Sequence, residues 1–416
     1  MEARGSDETL AGGGSLRQAP WGVAAAGGLA VMAALAFGRF SYTMLLPAMR
    51  DGLQLTYAAA GLLATANLAG YLAGSLVAGP AAKRFGSRVA ATGGLGVLAL
   101  GLAWTGATQG LLDAGMARAL AGAAGAVVYV QALGLIPRWF PETARGLASG
   151  LMHAGNGAGL ALTGLGLPLL LGAVPQRGWR VAWGALAVAT LALVPVAWLW
   201  LRPPRHDPAM RAAVAREAHE VSPGELTGSG PSLSAYAAVY ALFGVSYVIY
   251  VTFFAQALSE RGLTVFRAGL AWAIVGMLSV SSGPVWGRLS DRLGRRQALG
   301  VLFGLQGIAY VAFLEATTVG ILVSVALFGL TAWGVPAIMA AAMGEVGRPE
   351  EATAAFGRVT TVMGVGQAAG PLLAGALADF TGSASSGLWL ATLAALAGVA
   401  WSLAEAKGEN KVLLSG

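Results

Sequence analysis

Residues 287–296 read GRLSDRLGRR, a short charged segment that stands between two long apolar stretches. A similar segment, GPAAKRFGSR, occupies residues 79–88, 208 positions earlier. At this offset the matched pairs are Gly79 with Gly287, Arg84 with Arg292, Gly86 with Gly294 and Arg88 with Arg296. A second pair, GNGAGLALTG from Gly155 and GQAAGPLLAG from Gly366, matches at an offset of 211. Two separate matches at nearly one offset predict a chain made of two duplicated halves, the alternative being chance similarity between Gly- and Ala-rich helices.

The composition around these segments is typical of a membrane protein. Of 416 residues, 56% are apolar and 11% are charged, against about 45–50% and 25% in soluble domains. A helix that crosses a bilayer needs about 20 apolar residues. Twelve such stretches occur, at 22–48, 57–79, 89–108, 112–136, 147–171, 179–201, 233–257, 266–286, 297–315, 319–342, 354–378 and 386–405. The sequence therefore predicts an all-α integral membrane protein with twelve transmembrane helices in two pseudo-symmetric six-helix halves, residues 20–201 and 233–405.

Three polar segments flank these halves: a tail at 1–19 that we expect to be disordered, a linker at 202–232 with a short helix near 208–219, and a tail at 406–416. Nineteen of the 26 lysines and arginines fall on one side of the predicted spans and five on the other. Because cytoplasmic loops retain Lys and Arg during insertion, we expect both termini and the linker to be cytoplasmic, in a bacterial inner membrane. This distribution also explains the pI of about 10.0 without a nucleic-acid partner. The first tail lacks the pattern of a removable signal peptide.

The segment at 287–296 resembles the loop signature of the major facilitator superfamily, G-x-L-a-D-R-x-G-R-R. The stretches at 37–49 and 364–379 are similar to the YbfB-type carriers of that superfamily, and PRWFPETARGLASG at 137–150 resembles its monocarboxylate and oxalate/formate branch. The resemblance covers most of the chain at the level of the fold and hardly bears on the substrate. It implies the fold of that superfamily, with two halves that rock around a site between them.

The resemblance also implies that the two repeated loops control closure on the cytoplasmic side. The expected gating residues are Gly79, Lys83, Arg84, Gly86, Gly287, Asp291, Arg292, Gly294 and Arg295. In the family, the acid of this signature docks on the start of a helix in the opposite half and helps to hold the outward-facing state. Lys83 stands where the first copy should carry that acid, and the positive end of a helix repels a lysine. Asp291, expected to face the start of the fifth span, is left for this role, unless the loop charges only set the topology.

Arg39 lies within the first predicted span, where a charge costs at least about 2.5–3.5 kcal/mol and needs a partner or a water-filled cavity. All nineteen acidic residues fall in tails, loops or span ends. An arriving anion could neutralise the guanidinium, so we predict a carboxylate substrate held by a charge-assisted contact with Arg39. The alternative is that Arg39 extends to the outer interface or bonds to backbone carbonyls of a neighbouring span.

Other polar and aromatic side chains within the spans complete the predicted site. In the seventh span, five aromatic residues from Tyr240 to Phe254 fall on one helical face, and the resemblance places this span at the cavity; packing is the alternative. The candidate substrate contacts are Arg39, Tyr42, Asn67, Tyr129, His153, Asn156, Tyr247, Tyr250, Gln306, Trp333 and Gln367. For the amide side chains among them, hydrogen bonds between helices are the alternative.

Arg118 and His153 are the candidates for coupling transport to a proton. By resemblance, Arg118 matches an R-x-x-x-G motif of the fourth span that is linked to proton coupling; the alternative is an anchor at the outer end, paired with Asp113. His153 is the one histidine within a predicted span, and histidine is the side chain that ordinarily changes charge near neutrality. A neutral, hydrogen-bonded histidine is the alternative.

The sequence thus predicts a secondary active transporter that moves a small organic anion, such as a mono- or dicarboxylate, across the lipid bilayer, with a proton as the candidate co-transported ion. An efflux transporter for apolar or cationic drug-like compounds is the alternative, and a receptor built on the same fold is a third hypothesis. The chain has no cysteine, no phosphate-binding loop and no acid in mid-span, so we expect neither an enzyme nor a metal site. Gly364, Gly366 and Ala369 fit a dinucleotide motif but lie within an apolar stretch, so no cofactor is expected either.

Overall fold

The structure is a computed structural model in which residues 19–174, 176–203, 233–345 and 349–414 are described. Within these residues, twelve helices are long and apolar enough to cross a membrane, which confirms the predicted count. Most of the first tail and of the linker, with its predicted helix near 208–219, lies outside the described residues. The segment predicted as a tail from residue 406 instead continues the last helix to Leu414.

We number the twelve spans in chain order. In the first half they are span 1 (helical segments Ala19–Val31, Met32–Phe40 and Ser41–Leu53), span 2 (Tyr57–Phe85), span 3 (Ser87–Ala107), span 4 (Leu111–Leu133), span 5 (Glu142–Ala173) and span 6 (Gly178–Trp200). In the second half they are span 7 (Leu233–Glu260), span 8 (Val265–Leu293), span 9 (Arg295–Leu314), span 10 (Thr318–Thr331 and Gly334–Gly344), span 11 (Pro349–Thr381) and span 12 (Gly387–Leu414). Two short helices, Ile136–Trp139 and Ala384–Ser386, lie between spans.

The two repeated loops are shorter than predicted, because spans 2 and 8 continue as helix to Phe85 and Leu293. A single glycine breaks the helix in each half. Gly86 has φ +84° and ψ 149°, and Gly294 has φ +85° and ψ 148°. Only glycine adopts such a conformation without a steric penalty. The equal backbone angles at matched positions agree with the predicted internal repeat.

The two halves pack against each other along spans 2 and 11 and along spans 5 and 8. A Cβ atom added to Gly61 would lie 2.1 Å from the carbonyl oxygen of Pro371, and one added to Gly164 would lie 2.5 Å from that of Gly269. Small residues of this kind let helices approach closely within a membrane. Open space surrounds Gly166 and Gly172, which follow Gly164 in span 5. In the other direction along the four spans, the glycines with open space around them are Gly79, Gly146, Gly150, Gly287 and Gly357.

The latter glycines lie toward the end of the bundle that carries Lys83, Arg84, Arg88, Arg292 and Arg295, which we call the basic end. The other end, formed by the connections after spans 1, 3, 5, 7, 9 and 11, is called the opposite end. Between the described residues, the hydrogen bonds that join the halves lie at the opposite end and in the middle of the bundle, as for Tyr57 with Asp379 and Thr65 with Ala368. The halves are therefore joined there and separate toward the basic end. A site at the middle of the bundle is open in the direction of the basic end.

Candidate functional site

Arg39 lies near the middle of the bundle and joins the two halves. Its Nη2 donates hydrogen bonds to the hydroxyl of Tyr247 on span 7, at 2.6 Å, and to Oε1 of Gln367 on span 11, at 2.8 Å. The side chain is part-exposed, and none of the ion pairs between described residues includes it. Three residues proposed from the sequence thus meet in one cluster. The hydrogen bonds of the guanidinium go to side chains of the second half, not to backbone carbonyls.

The backbone that carries Arg39 is a π-helix of nine residues, Met32–Phe40, a geometry often found at functional sites. Its Gly38 carbonyl accepts hydrogen bonds from Nη1 of Arg118 at 3.0 Å and from Nδ2 of Asn67 at 3.4 Å. The same Asn67 amide donates to the backbone carbonyl of Arg118 at 2.9 Å. Spans 2 and 4 therefore hold the π-helix in place, and through it they position Arg39.

Arg118 is almost fully buried, with 1% of its surface exposed. Its guanidinium carbon lies 4.8 Å from the ring centre of Tyr42 and 5.1 Å from that of Trp183. Asp113, the partner expected if Arg118 were an anchor at the outer end, instead accepts a hydrogen bond from Nε1 of Trp104 at 2.5 Å. The structure gives Arg118 a positioning contact with span 1; its role in coupling remains a prediction.

Aromatic rings surround the guanidinium of Arg39. Its central carbon lies 5.2 Å from the ring centre of Phe40 and 5.7 Å from that of Tyr71. The ring of Trp333 lies 5.7 Å from Phe40 and 6.3 Å from Tyr247. Phe40 and Tyr71 were not among the residues proposed from the sequence. Tyr71 could have been found, because it follows Asn67 by one helical turn and so shares its face.

His153 and Tyr129 lie at the exposed edge of this group. The hydroxyl of Tyr129 is 3.0 Å from Nε2 of His153, and Nδ1 of His153 is 2.8 Å from the carbonyl oxygen of Ser149. A carbonyl only accepts, so Nδ1 carries the hydrogen and Nε2 accepts from Tyr129 in the neutral imidazole. The ring of Tyr129 lies 6.4 Å from that of Tyr71. We refer to Arg39, Phe40, Tyr71, Tyr129, His153, Tyr247, Trp333 and Gln367 as the central cluster.

Tyr250 does not join the central cluster, contrary to the sequence-based prediction. Its hydroxyl is 2.9 Å from that of Ser324, and its ring centre is 4.2 Å from that of Phe328. Tyr247 and Tyr250 are three residues apart, so they point about 60° away from each other on the helix. This angle directs Tyr247 toward the first half and Tyr250 into the core of the second.

Two further candidate contacts serve packing between helices. The hydroxyl of Tyr42 donates to the carbonyl of Ala60 at 2.8 Å, which ties span 1 to span 2. Gln306 is fully buried and donates to the carbonyl of Thr331 at 3.4 Å, between spans 9 and 10. Asn156 is 3% exposed, and the described residues offer no hydrogen-bond partner to its Oδ1. Among the described residues, no hydrogen bond joins Oδ1 of Asn156 to the central cluster.

The predicted gating residues of the second half bond to one another. Asp291 accepts a hydrogen bond from Nη1 of Arg295 at 2.5 Å, and Nη2 of Arg295 lies 2.8 Å from Glu345. The side chains of Lys83, Arg84 and Arg292 are exposed. With the halves separated at the basic end, Asp291 bonds within its own half. Its docking on span 5 stays a prediction for the state in which this end closes.

A carboxylate contact at the opposite end was not expected from the sequence. Asp379, at the end of span 11, accepts hydrogen bonds from the backbone N–H groups of Tyr57 at 2.7 Å and Ala58 at 2.9 Å. These are the first residues of span 2, where the partial positive charge of the helix attracts an anion. The hydroxyl of Tyr57 also donates to Glu260 at 2.7 Å. Asp379 and Glu260 thus join the two halves at the opposite end.

Twelve spans in two halves, with a part-exposed cation where the halves meet, define a membrane carrier of the alternating-access class. The chain matches the family model described as "Uncharacterised MFS-type transporter YbfB" over residues 31–403. It therefore belongs to this family of the major facilitator superfamily, whose members are transporters and not enzymes. The family resemblance read from the loop signature is confirmed.

Similar proteins support the same assignment. A gallate transporter of Pseudomonas putida is 26% identical over 64% of this chain and 65% of its own length. Human monocarboxylate transporter 11 is 33% identical over 67% of this chain and 60% of its own length. Both alignments thus span less than two thirds of the relative. A bacterial homolog of the human lysosomal transporter Spinster, solved in an inward-facing and unoccupied conformation, superposes with a TM-score of 0.70 at 15% identity, covering 93% of this chain and 95% of that one. This likeness confirms the fold.

Proposed function

We propose that this protein is a secondary transporter of small organic carboxylates, which bind to Arg39 between the two halves. The observation that carries the proposal is the unused hydrogen-bonding capacity of the guanidinium. Nη2 makes both recorded hydrogen bonds, whereas Nε and Nη1 have no partner among the described residues and are not among the buried unpaired atoms. These N–H groups, on two different edges of the guanidinium, can each donate a charge-assisted hydrogen bond to a carboxylate.

The charge at the centre of the bundle favours anions. Tyr247 and Gln367 are neutral partners, so they orient the guanidinium without cancelling its charge. A cationic compound would be repelled at this position, whereas a carboxylate would supply the missing negative charge. The names of the two relatives, a gallate transporter and a monocarboxylate transporter, also indicate organic anions.

We further propose that the basic end faces the cytoplasm, as the distribution of lysine and arginine indicates. The structure then corresponds to a state open to the cytoplasm, with both termini on that side of the cell membrane. His153, hydrogen-bonded to Tyr129 at the exposed edge of the central cluster, is the proposed site for a co-transported proton.

A ligand panel on the purified protein tests this function. We expect carboxylates such as lactate, oxalate or benzoate to raise the thermal unfolding temperature and cationic dyes to leave it unchanged. In proteoliposomes, counterflow of a labelled acid that stabilises the protein should exceed that of protein-free vesicles, and an imposed proton gradient should change its rate if a proton is co-transported. Stabilisation by dyes alone would overturn the proposal in favour of drug efflux.

The two span-7 tyrosines provide a matched pair. Tyr247→Phe removes the hydroxyl that orients Arg39, so we expect the affinity for the stabilising acid to fall about 2- to 12-fold, corresponding to one hydrogen bond of about 0.5–1.5 kcal/mol. Tyr250→Phe removes an equivalent hydroxyl from the core of the second half, so it should lower the unfolding temperature and leave affinity unchanged. Isothermal titration and thermal unfolding measure the two effects; equal losses of affinity in both variants would contradict the assignment of Tyr247.

A further inference from the structure

We propose that the preferred substrate carries a single carboxylate and an aromatic ring, with the carboxylate on Arg39 and the ring on the side of the basic end. This inference rests on the proposed function and narrows it from organic anions in general to aromatic monocarboxylates. It draws on two properties of the central cluster: the number of accessible positive charges and the kind of surface that surrounds them.

The cluster offers one accessible fixed positive charge. Within the described parts of the spans and away from their ends, the two arginines are Arg39 and Arg118. Arg118 is 1% exposed, donates to the carbonyls of Gly38 and Arg39, and has its Nε buried. In the neutral form of His153, Tyr129 and the Ser149 carbonyl occupy both ring nitrogens. A second carboxylate would therefore find no free cationic side chain in the central cluster and would gain no charge-assisted contact there.

The part-exposed surface around Arg39 is aromatic. Tyr71, Tyr129 and Trp333 are each part-exposed, and His153 is exposed. Aromatic rings prefer offset or edge-to-face neighbours with ring centres about 4.5–7 Å apart. The rings of the cluster already have such spacings among themselves, 6.4 Å for Tyr71 with Tyr129 and 5.7 Å for Phe40 with Trp333. A planar substrate ring can extend this arrangement, whereas a saturated ring or a short alkyl chain lacks the matching charge distribution.

The free space fixes the direction of the ring. The crevice bounded by Phe40, Tyr247 and Trp333 has a volume of about 10 Å³, which holds at most one water molecule. Tyr129, near the end of span 4, and His153, early in span 5, lie nearer to the basic end than Arg39 does. The ring of a substrate bound to Arg39 is therefore placed against Tyr71 and Tyr129, on the side where the halves separate.

Three carboxylic acids, used as probes of the full-length protein, separate the effect of an aromatic ring from the effect of a second carboxylate. Benzoate and cyclohexanecarboxylate have equal charge and the same number of ring atoms, and terephthalate adds a second carboxylate to the aromatic ring. By isothermal titration we expect benzoate to bind about 2- to 12-fold more tightly than cyclohexanecarboxylate, the range for one aromatic pair. Terephthalate should bind no more tightly than benzoate, because its second carboxylate finds no free cationic side chain in the central cluster.

Two variants of the aromatic surface and one remote control test the location. Tyr71→Leu should reduce the ratio of benzoate to cyclohexanecarboxylate affinity toward one, because the substrate ring is placed against this residue. Trp389→Leu, at a residue of span 12 that is 57% exposed, should leave the ratio unchanged. Tyr129→Leu serves as the second test variant if Tyr71→Leu does not fold.

The outcomes distinguish this inference from the proposed function. Equal binding of benzoate and cyclohexanecarboxylate would overturn the aromatic preference, and tighter binding of terephthalate than of benzoate would overturn the single charge. In both cases the protein would remain a carboxylate transporter. Stabilisation by lactate or oxalate with no response to benzoate would likewise overturn only the inference. Failure of every carboxylate to bind would overturn the proposed function and the inference together.

Discussion

Replacing Arg39 with glutamine is expected to reduce carboxylate affinity about 30-fold or more and to abolish counterflow. Removing one partner of a desolvated, hydrogen-bonded charge pair costs about 2–5 kcal/mol, and each 1.4 kcal/mol corresponds to about a tenfold change. Arg39→Lys keeps the charge but loses the planar guanidinium and its several N–H donors, so we expect an intermediate loss. Isothermal titration with the acid that stabilises the unchanged protein measures both variants.

The control for Arg39 is Arg267→Gln, at an exposed arginine near the start of span 8. It removes the same charge from the protein at a site remote from the cluster and should leave affinity unchanged. Thermal unfolding without ligand shows whether each variant is folded. Unchanged acid binding in a folded Arg39→Gln variant would mean that the carboxylate binds elsewhere.

Asp379→Asn is expected to shift the protein toward a state open at the opposite end. The carboxylate accepts two backbone hydrogen bonds at the start of span 2, and hydrogen bonds to charged groups contribute about 1.5–3 kcal/mol. An asparagine keeps the size of the side chain but loses the charge that the helix end attracts. A loss of about 1–3 kcal/mol changes the ratio of two conformations about 5- to 150-fold.

Spin labels measure this shift without background, because the chain contains no cysteine. Gln109→Cys and Val319→Cys place labels on exposed residues of the two halves at the opposite end. Double electron–electron resonance should show that a longer distance between the two spin labels becomes more populated in Asp379→Asn. Glu315→Gln, at an exposed acid of the same end, should leave the distances unchanged. An unchanged distribution in Asp379→Asn would show that other contacts hold this end closed.

The sequence was sufficient to predict the twelve spans, because crossing a bilayer imposes a length and an apolar composition on each helix. It also selected Arg39, Tyr247 and Gln367 as candidates, since a charged or polar side chain within a span needs partners. The structure brings these three side chains together, and their contact with a substrate stays a prediction. The sequence did not predict that a single glycine replaces the longer loop after span 2 and after span 8. Charged residues at 83–88 and 288–296 continue the helices beyond the apolar stretches on which the prediction was based.

Contacts that depend on which helices are neighbours could not be predicted. The face of span 7 contains both Tyr247 and Tyr250, but periodicity does not show that the first meets Arg39 and the second meets Ser324. Asp379 bonds to residues more than 300 positions earlier in the chain, and the family resemblance of residues 364–379 does not show this contact. Phe40 and Tyr71 become part of the site through the packing of spans 1, 2 and 10.

The π-helix of span 1 affects how residues of this protein are matched with those of its relatives. In a π-helix each hydrogen bond spans five residues instead of four, so residues after Met32–Phe40 are displaced around the axis relative to an uninterrupted α-helix. One residue of displacement rotates a side chain by about 100°. A homologue with an unbroken α-helix here would present a different position to Tyr247, even if its sequence aligned without a gap. Whether another carrier shares this guanidinium must therefore be judged from its backbone geometry and not from residue numbering alone.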